Sequence, residues 1–178
     1  MPSTEYEEYF LHPGDYLFLE GATRARTILG SCVAVTFWHP RYRAGAICHY
    51  MMPGRSSLPG PVDGRYGDEV LRHIIQQLRF RGWDPREVQV KLFGGSTMLQ
   101  ALVRQDGASI GGDNVEIGRA LLAAEGFRVL KEDVGLCRHR NILFDLETGS
   151  VWLRRNEGRC ERKCMSLDGS CPYSAAAS

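Results

Sequence analysis

The sequence predicts a single layered domain of the α/β or α+β class. Three observations predict it. Strand-like runs outnumber helix-like ones, two segments carry apolar residues at helical spacing, and no internal repeat or long apolar span interrupts them. A chain of 178 residues is long enough to bury a substantial core as one domain.

The elements follow in order. Residues 15–20, DYLFLE, read as a short strand. Residues 32–38, CVAVTFW, read as a stronger one, rich in β-branched and aromatic side chains. HPRYRAG supplies a reversal, and 46–52, AICHYMM, the return strand. The Pro-, Gly- and Ser-rich stretch 53–67 predicts a long surface loop. In 67–82 the residues Val70, Leu71, Ile74, Ile75 and Leu78 share one helical face, and Gly82 suits the stop. Residues 88–93, VQVKLF, predict a strand entering Gly94-Gly95, and 97–105 a short helix. A second principal helix is expected over 113–127, capped by Asp113 or Asn114 and stopped by Gly126. FRVLKEDV, RNILFDL and SVWLR predict three strands, the last two joined as a hairpin through Glu147-Thr148-Gly149. The division expected is a domain over 1–155 and a polar, flexible tail over 156–178.

Composition narrows the function classes. The formal net charge is +1, with no basic stripe interleaved with aromatics, which argues against a nucleic-acid partner. The acidic N-terminus does not read as a signal peptide and no segment is long and apolar enough to insert in a membrane, so a cytoplasmic location is expected. Six cysteines in that compartment read as thiols rather than disulfides, and none form a Cys-x-x-Cys pair. Cys137 and His139 are two potential metal ligands without a third, so no metal is expected. The tail cysteines Cys160, Cys164 and Cys171 read as incidental.

Cys32 and His49 pose the sharpest question. They lie 17 residues apart in two strands joined by a reversal. A simple hairpin with opposed residue numbers summing to 81 puts them face to face, within about one register step. A slip of one residue would send them to opposite faces. A neighbouring imidazolium favours a thiolate, and the imidazole can return a proton to a leaving group. Gly30-Ser31 before the cysteine suits a tight turn whose backbone N–H groups, at Ser31 and Cys32, could hold an oxyanion. Thr27, five residues upstream of Cys32, could hydrogen-bond and orient the imidazole. The plainer alternative is that both are core residues of an ordinary hairpin.

Five segments in order resemble the CheD family, the chemoreceptor glutamine deamidases: TILGSCVAV, GAICHYMMP, YGDEVLRHII, KLFGGSTM and SIGGDNVEIGRALLAAEGF. The resemblance covers roughly residues 12–154. It implies a three-layer α/β sandwich of mainly antiparallel sheets with two principal helices, similar to the catalytic domains of deamidating toxins. It implies a catalytic triad of Cys32, His49 and Thr27 and no cofactor. It implies glutamine side chains of methyl-accepting chemotaxis receptors as substrate, and a CheC-type phosphatase as partner. Gly94, Gly95 and Ser96 are candidates for lining the substrate site. The family often has Gly-Gly-x-x-Gly-Arg before the final hairpin. Here GLCRHR stands there, with Leu136 and His139 in place of glycines and Gly135 and Arg140 retained. That departure keeps an alternative open: a weakly catalytic or non-catalytic module regulating a CheC-type phosphatase or receptor signalling. A related thiol enzyme that transfers amines is a third reading.

Overall fold

A computed structural model of the protein describes residues 6–55, 60–97 and 107–156. Among these described residues, nine strands and two helices make three layers. A four-stranded sheet has the order β1-β3-β8-β9, formed by Glu7–Phe10, Thr23–Leu29, His139–Asp145 and Val151–Asn156. A five-stranded sheet has the order β2-β5-β4-β6-β7, formed by Tyr16–Glu20, Ala44–Tyr50, Val33–His39, Gln89–Gly94 and Val129–Val134. Helices α1, Gly67–Phe80, and α2, Ile110–Ala124, cover its far face. All strand pairs are antiparallel except β1 with β3 and β6 with β7. The three-layer α/β class expected from the sequence is what forms.

The central strands are apolar on both sides because both sides are covered. Val33, Val35 and Phe37 of β4, with Ala46, Cys48 and Tyr50 of β5, pack against the helices' Val70, Leu71, Ile74, Val115 and Leu122. On the other face Ala34, Ile47 and Phe93 meet Ala25, Leu29, Ile142 and Phe144 of the outer sheet. Each large side chain so buried contributes roughly 1.5–3 kcal/mol. Cys48 faces the helices, as its position beside His49 implies.

Strands β1 and β3 were not expected. In β3 the inward residues are Ala25, Thr27 and Leu29 while Ile28 points out, 53% exposed, which blurs the apolar alternation. Helix α2 begins earlier than expected. Ser109 is its N-cap and accepts from the Gly112 N–H, so Asn114 lies inside the helix and is no cap. The expected short helix over 97–105 falls almost wholly outside the described residues, as do part of the long loop and the tail with Cys160, Cys164 and Cys171. No described helix is long and apolar enough to cross a membrane.

Candidate active site

The β4–β5 pairing fixes the relation between Cys32 and His49. Ala34 stands opposite His49 and Val33 opposite Tyr50, so opposed residue numbers sum to 83, not 81. The hairpin is displaced by two residues from the simplest register. Because side chains alternate with a period of two, the displacement preserves the face. Cys32 lies just ahead of β4, diagonal to His49, and its half-buried side chain packs against the core on the side facing the outer sheet.

Thr27 reaches across from that outer sheet. Its Oγ1 lies 2.8 Å from His49 Nδ1 and donates to the Leu11 carbonyl at 2.7 Å. A hydroxyl has one proton. Since Leu11 O can only accept, Thr27 accepts from His49, and the ring proton sits on Nδ1. Nε2 is therefore the basic nitrogen. It is buried and has no hydrogen-bond partner, so no hydrogen bond joins it to Cys32 Sγ. His49 is held at its backbone as well: Gly14 N–H donates to its carbonyl at 2.7 Å and its N–H donates to Asp15 O at 3.0 Å.

Burial pushes His49 down to about 4, against the Leu11 carbonyl and the Asp15 carboxylate, which favour the protonated ring; His12 adds to the lowering. Burial likewise raises the Cys32 thiol, opposed by its own backbone N–H. Both shifts favour the uncharged forms. Desolvation thus works against the thiolate–imidazolium pair that the sequence suggested.

The loop bearing Cys32 is tied through its carbonyls. Gly30 O accepts from Ser96 N–H at 2.9 Å, Ser31 O from Asn114 Nδ2 at 3.0 Å, and Cys32 O from Gly95 N–H at 2.8 Å. Among the described residues, no backbone hydrogen bond uses the Ser31 or Cys32 N–H. In a trans peptide the N–H points opposite to the preceding carbonyl. With both carbonyls drawn inward, these two N–H groups point the other way, and no backbone carbonyl takes them.

Gly94, Gly95 and Ser96 are buried behind this loop. A Cβ on Gly94 would lie 2.1 Å from Cys32 O, so only glycine permits the approach. Gly111 opens α2 against the same segment, where a Cβ would meet Gly95 O and Ser96 O at 2.6 Å. Gly95 also lines a cleft of about 420 Å³ with Thr97, Ser109, Asp113 and Leu136.

Two supporting residues carry more than sequence reading assigned them. Asn114, fully buried, bridges Ser31 O and Met51 O, the latter at 2.9 Å. Arg140, also fully buried, donates to Asp133 at 2.5 Å, Ser96 Oγ at 2.7 Å and Gly135 O at 2.9 Å. Burial lowers its pKa, which Asp133 opposes. Both lie in motifs the sequence offered, but spacing says nothing about the partners they reach. Leu136 adopts φ +62°, a conformation that favours glycine, which is the residue the family pattern has there. His139 is exposed at the start of β8, and Cys137 is buried.

The fold and the site define a class: a β/β/α sandwich in which a cysteine and a histidine share one face of the central sheet. Comparison with known proteins narrows the class. The chain belongs to the CheD family. The family described as CheD chemotactic sensory transduction matches residues 51–155, beginning just after His49. Three relatives named probable chemoreceptor glutamine deamidase CheD extend the likeness. One from Pseudomonas savastanoi pv. phaseolicola is 45% identical over 149 residues, 83% of this chain and 84% of the relative. One from Dechloromonas aromatica is 43% identical over 156 residues, 87% and 91% of the two chains. One from Geobacter sulfurreducens is 43% identical over 148 residues, 82% and 88%.

Proposed function

We propose that the chain is a protein-glutamine deamidase acting on chemoreceptors, with Cys32 as nucleophile, His49 as acid–base group and Thr27 as its orienting partner. The names of its relatives support the substrate class. The observation that carries the mechanism is the Leu11–Thr27–His49 hydrogen-bond chain, which leaves Nε2 unprotonated at neutral pH.

His49 Nε2 takes the Cys32 proton as the sulfur attacks the carboxamide carbon of a substrate glutamine. The negative charge that develops on the carboxamide oxygen is met by the N–H groups of Ser31 and Cys32. Collapse of the tetrahedral adduct breaks the C–N bond, and the imidazolium gives its proton to the departing nitrogen, releasing ammonia. Water then loses a proton to Nε2 and attacks the thioester. The thiol is restored and a glutamate remains. Burial that disfavours both charges suits this scheme, in which the thiolate forms as the proton moves.

A cytoplasmic location and a CheC-type phosphatase as partner go with this reading. The test is mass spectrometry of receptor cytoplasmic fragments incubated with wild type and Cys32→Ala. A mass gain at glutamine with wild type, absent with Cys32→Ala, is the expected result. Conversion at the normal rate by Cys32→Ala would overturn the mechanism, and an amine adduct in place of glutamate would replace hydrolysis with transfer.

A further inference from the structure

The nucleophile loop depends on one side chain from another layer. Asn114 projects from the second turn of α2, has no exposed surface, and donates from Nδ2 to both Ser31 O and Met51 O. Two carbonyls can be bridged only by a donor, so the amide nitrogen faces them and Oδ1 faces away. That oxygen is buried without a partner. The residue is itself held in place, because its carbonyl accepts from Tyr50 Oη at 2.6 Å. Tyr50 is the neighbour of His49 on β5, so the frame holding Asn114 belongs to the strand that carries the imidazole.

The bond to Ser31 O has a directional consequence. Ser31 C=O and Cys32 N–H belong to one trans peptide and point in opposite directions. Whatever fixes the carbonyl aims the N–H. We propose that Asn114 is a positioning residue that aims the Cys32 N–H at the oxyanion, by holding the Ser31 carbonyl from behind. Ser96 does the same for the Ser31 N–H through the Gly30 carbonyl, but from backbone, so no substitution can remove it cleanly. Asn114 is the one part of the device carried by a side chain among the described contacts. The inference rests on the reading of Cys32 as nucleophile.

The test separates aiming from general damage by comparing two reactions of the same sulfur. Deamidation passes through an oxyanion, whereas alkylation of Cys32 by iodoacetamide is a displacement at a saturated carbon and forms none. Two full-length variants are compared with wild type. Asn114→Leu removes the donor, and Asn114→Asp keeps the shape but sets oxygen against both carbonyls, covering the case in which the first does not fold. The expected result in the folded variant is a fall in kcat of about 10- to 100-fold, with KM and the Cys32 alkylation rate, followed by peptide mass spectrometry, within about threefold of wild type. An unchanged kcat would overturn the proposal. So would a fall in kcat matched by an equal change in alkylation, which would mark a loop disordered as a whole. Cys32→Ala, run beside them, reports on the underlying reading alone: if it still deamidates, the nucleophile is wrong whatever Asn114 does.

Discussion

The central sheet carries a buried histidine at each end, and the two are built differently. His49 and His39 are 1% and 3% exposed, and each has one ring nitrogen without a hydrogen-bond partner. His49 stands near the Cys32 end of the β4–β5 hairpin, on the side facing the outer sheet. Its ring is oriented by a hydroxyl that is itself anchored, and its free nitrogen is the basic one. His39 closes the opposite end of β4 in an aromatic cage. Its ring centroid lies 4.6 Å from Tyr42 and 4.9 Å from Trp83, and Nε2 is 3.6 Å from an exposed Glu87 carboxylate. Equal burial therefore does not mean equal chemistry. What differs is whether hydrogen bonds fix the tautomer and whether a thiol shares the face.

The contrast is open to direct attack. The largest effect is expected from exchanging the two residues' fates. His49→Ala should lower kcat for receptor deamidation by about 10²- to 10⁴-fold. His39→Leu should leave kcat at the wild-type level and alter stability by no more than about 2 kcal/mol in denaturant unfolding. Comparable loss of activity from both would erase the distinction.

Acid stability should expose the cost of burying His49. Its folded value of about 4 lies below the ordinary 6.5, so as pH falls through that window the unfolded chain takes up the proton first. Stability is therefore complete above pH 6.5 and falls as pH drops from 6.5 towards 4, by about 3 kcal/mol from this group. Urea unfolding at pH 7 and pH 4.5 checks it, and His49→Gln should remove that part of the slope.

The orienting hydroxyl comes next. Thr27→Val should reduce kcat by about 10- to 100-fold while KM holds, because the ring loses the group that selects its tautomer. Thr27→Ser should recover most of the rate, which a loss of packing alone would not predict.

The smallest effects concern backbone strain, which also occurs at both ends. Arg43, in the turn beside His39, has φ +46°, and Leu136, near the Cys32 loop, has φ +62°. Glycine at either position should raise stability by about 1 kcal/mol or less, read as a higher Tm. Leu136→Gly alone should also change KM for a receptor fragment, since Leu136 lines the cleft beside Gly95 and Arg43 does not.

Much of this was legible in the residues. The principal helices, the doubly buried central strands and the final hairpin follow from apolar spacing and turn chemistry, which are local properties. Strand β3 was hidden because its inward face uses Ala25 and Thr27, small or polar residues that give no apolar rhythm. The start of α2 was misplaced because Ser109 and Asn114 are both acceptable caps in isolation, and only packing of Gly111 against Gly95 and Ser96 selects the earlier one.

By itself the sequence determined that Cys32 and His49 could share a face, since parity along a strand is set by the pleat. Only the tertiary structure decided the rest. It set the hairpin register two residues along, brought Thr27 across from a second sheet, and reached Ser31 from a helix through Asn114. It also set how strongly burial disfavours charge at the site, because desolvation depends on what surrounds a group. These contacts join residues 22 and 83 positions apart in the chain, and no local periodicity encodes a partner at such a separation.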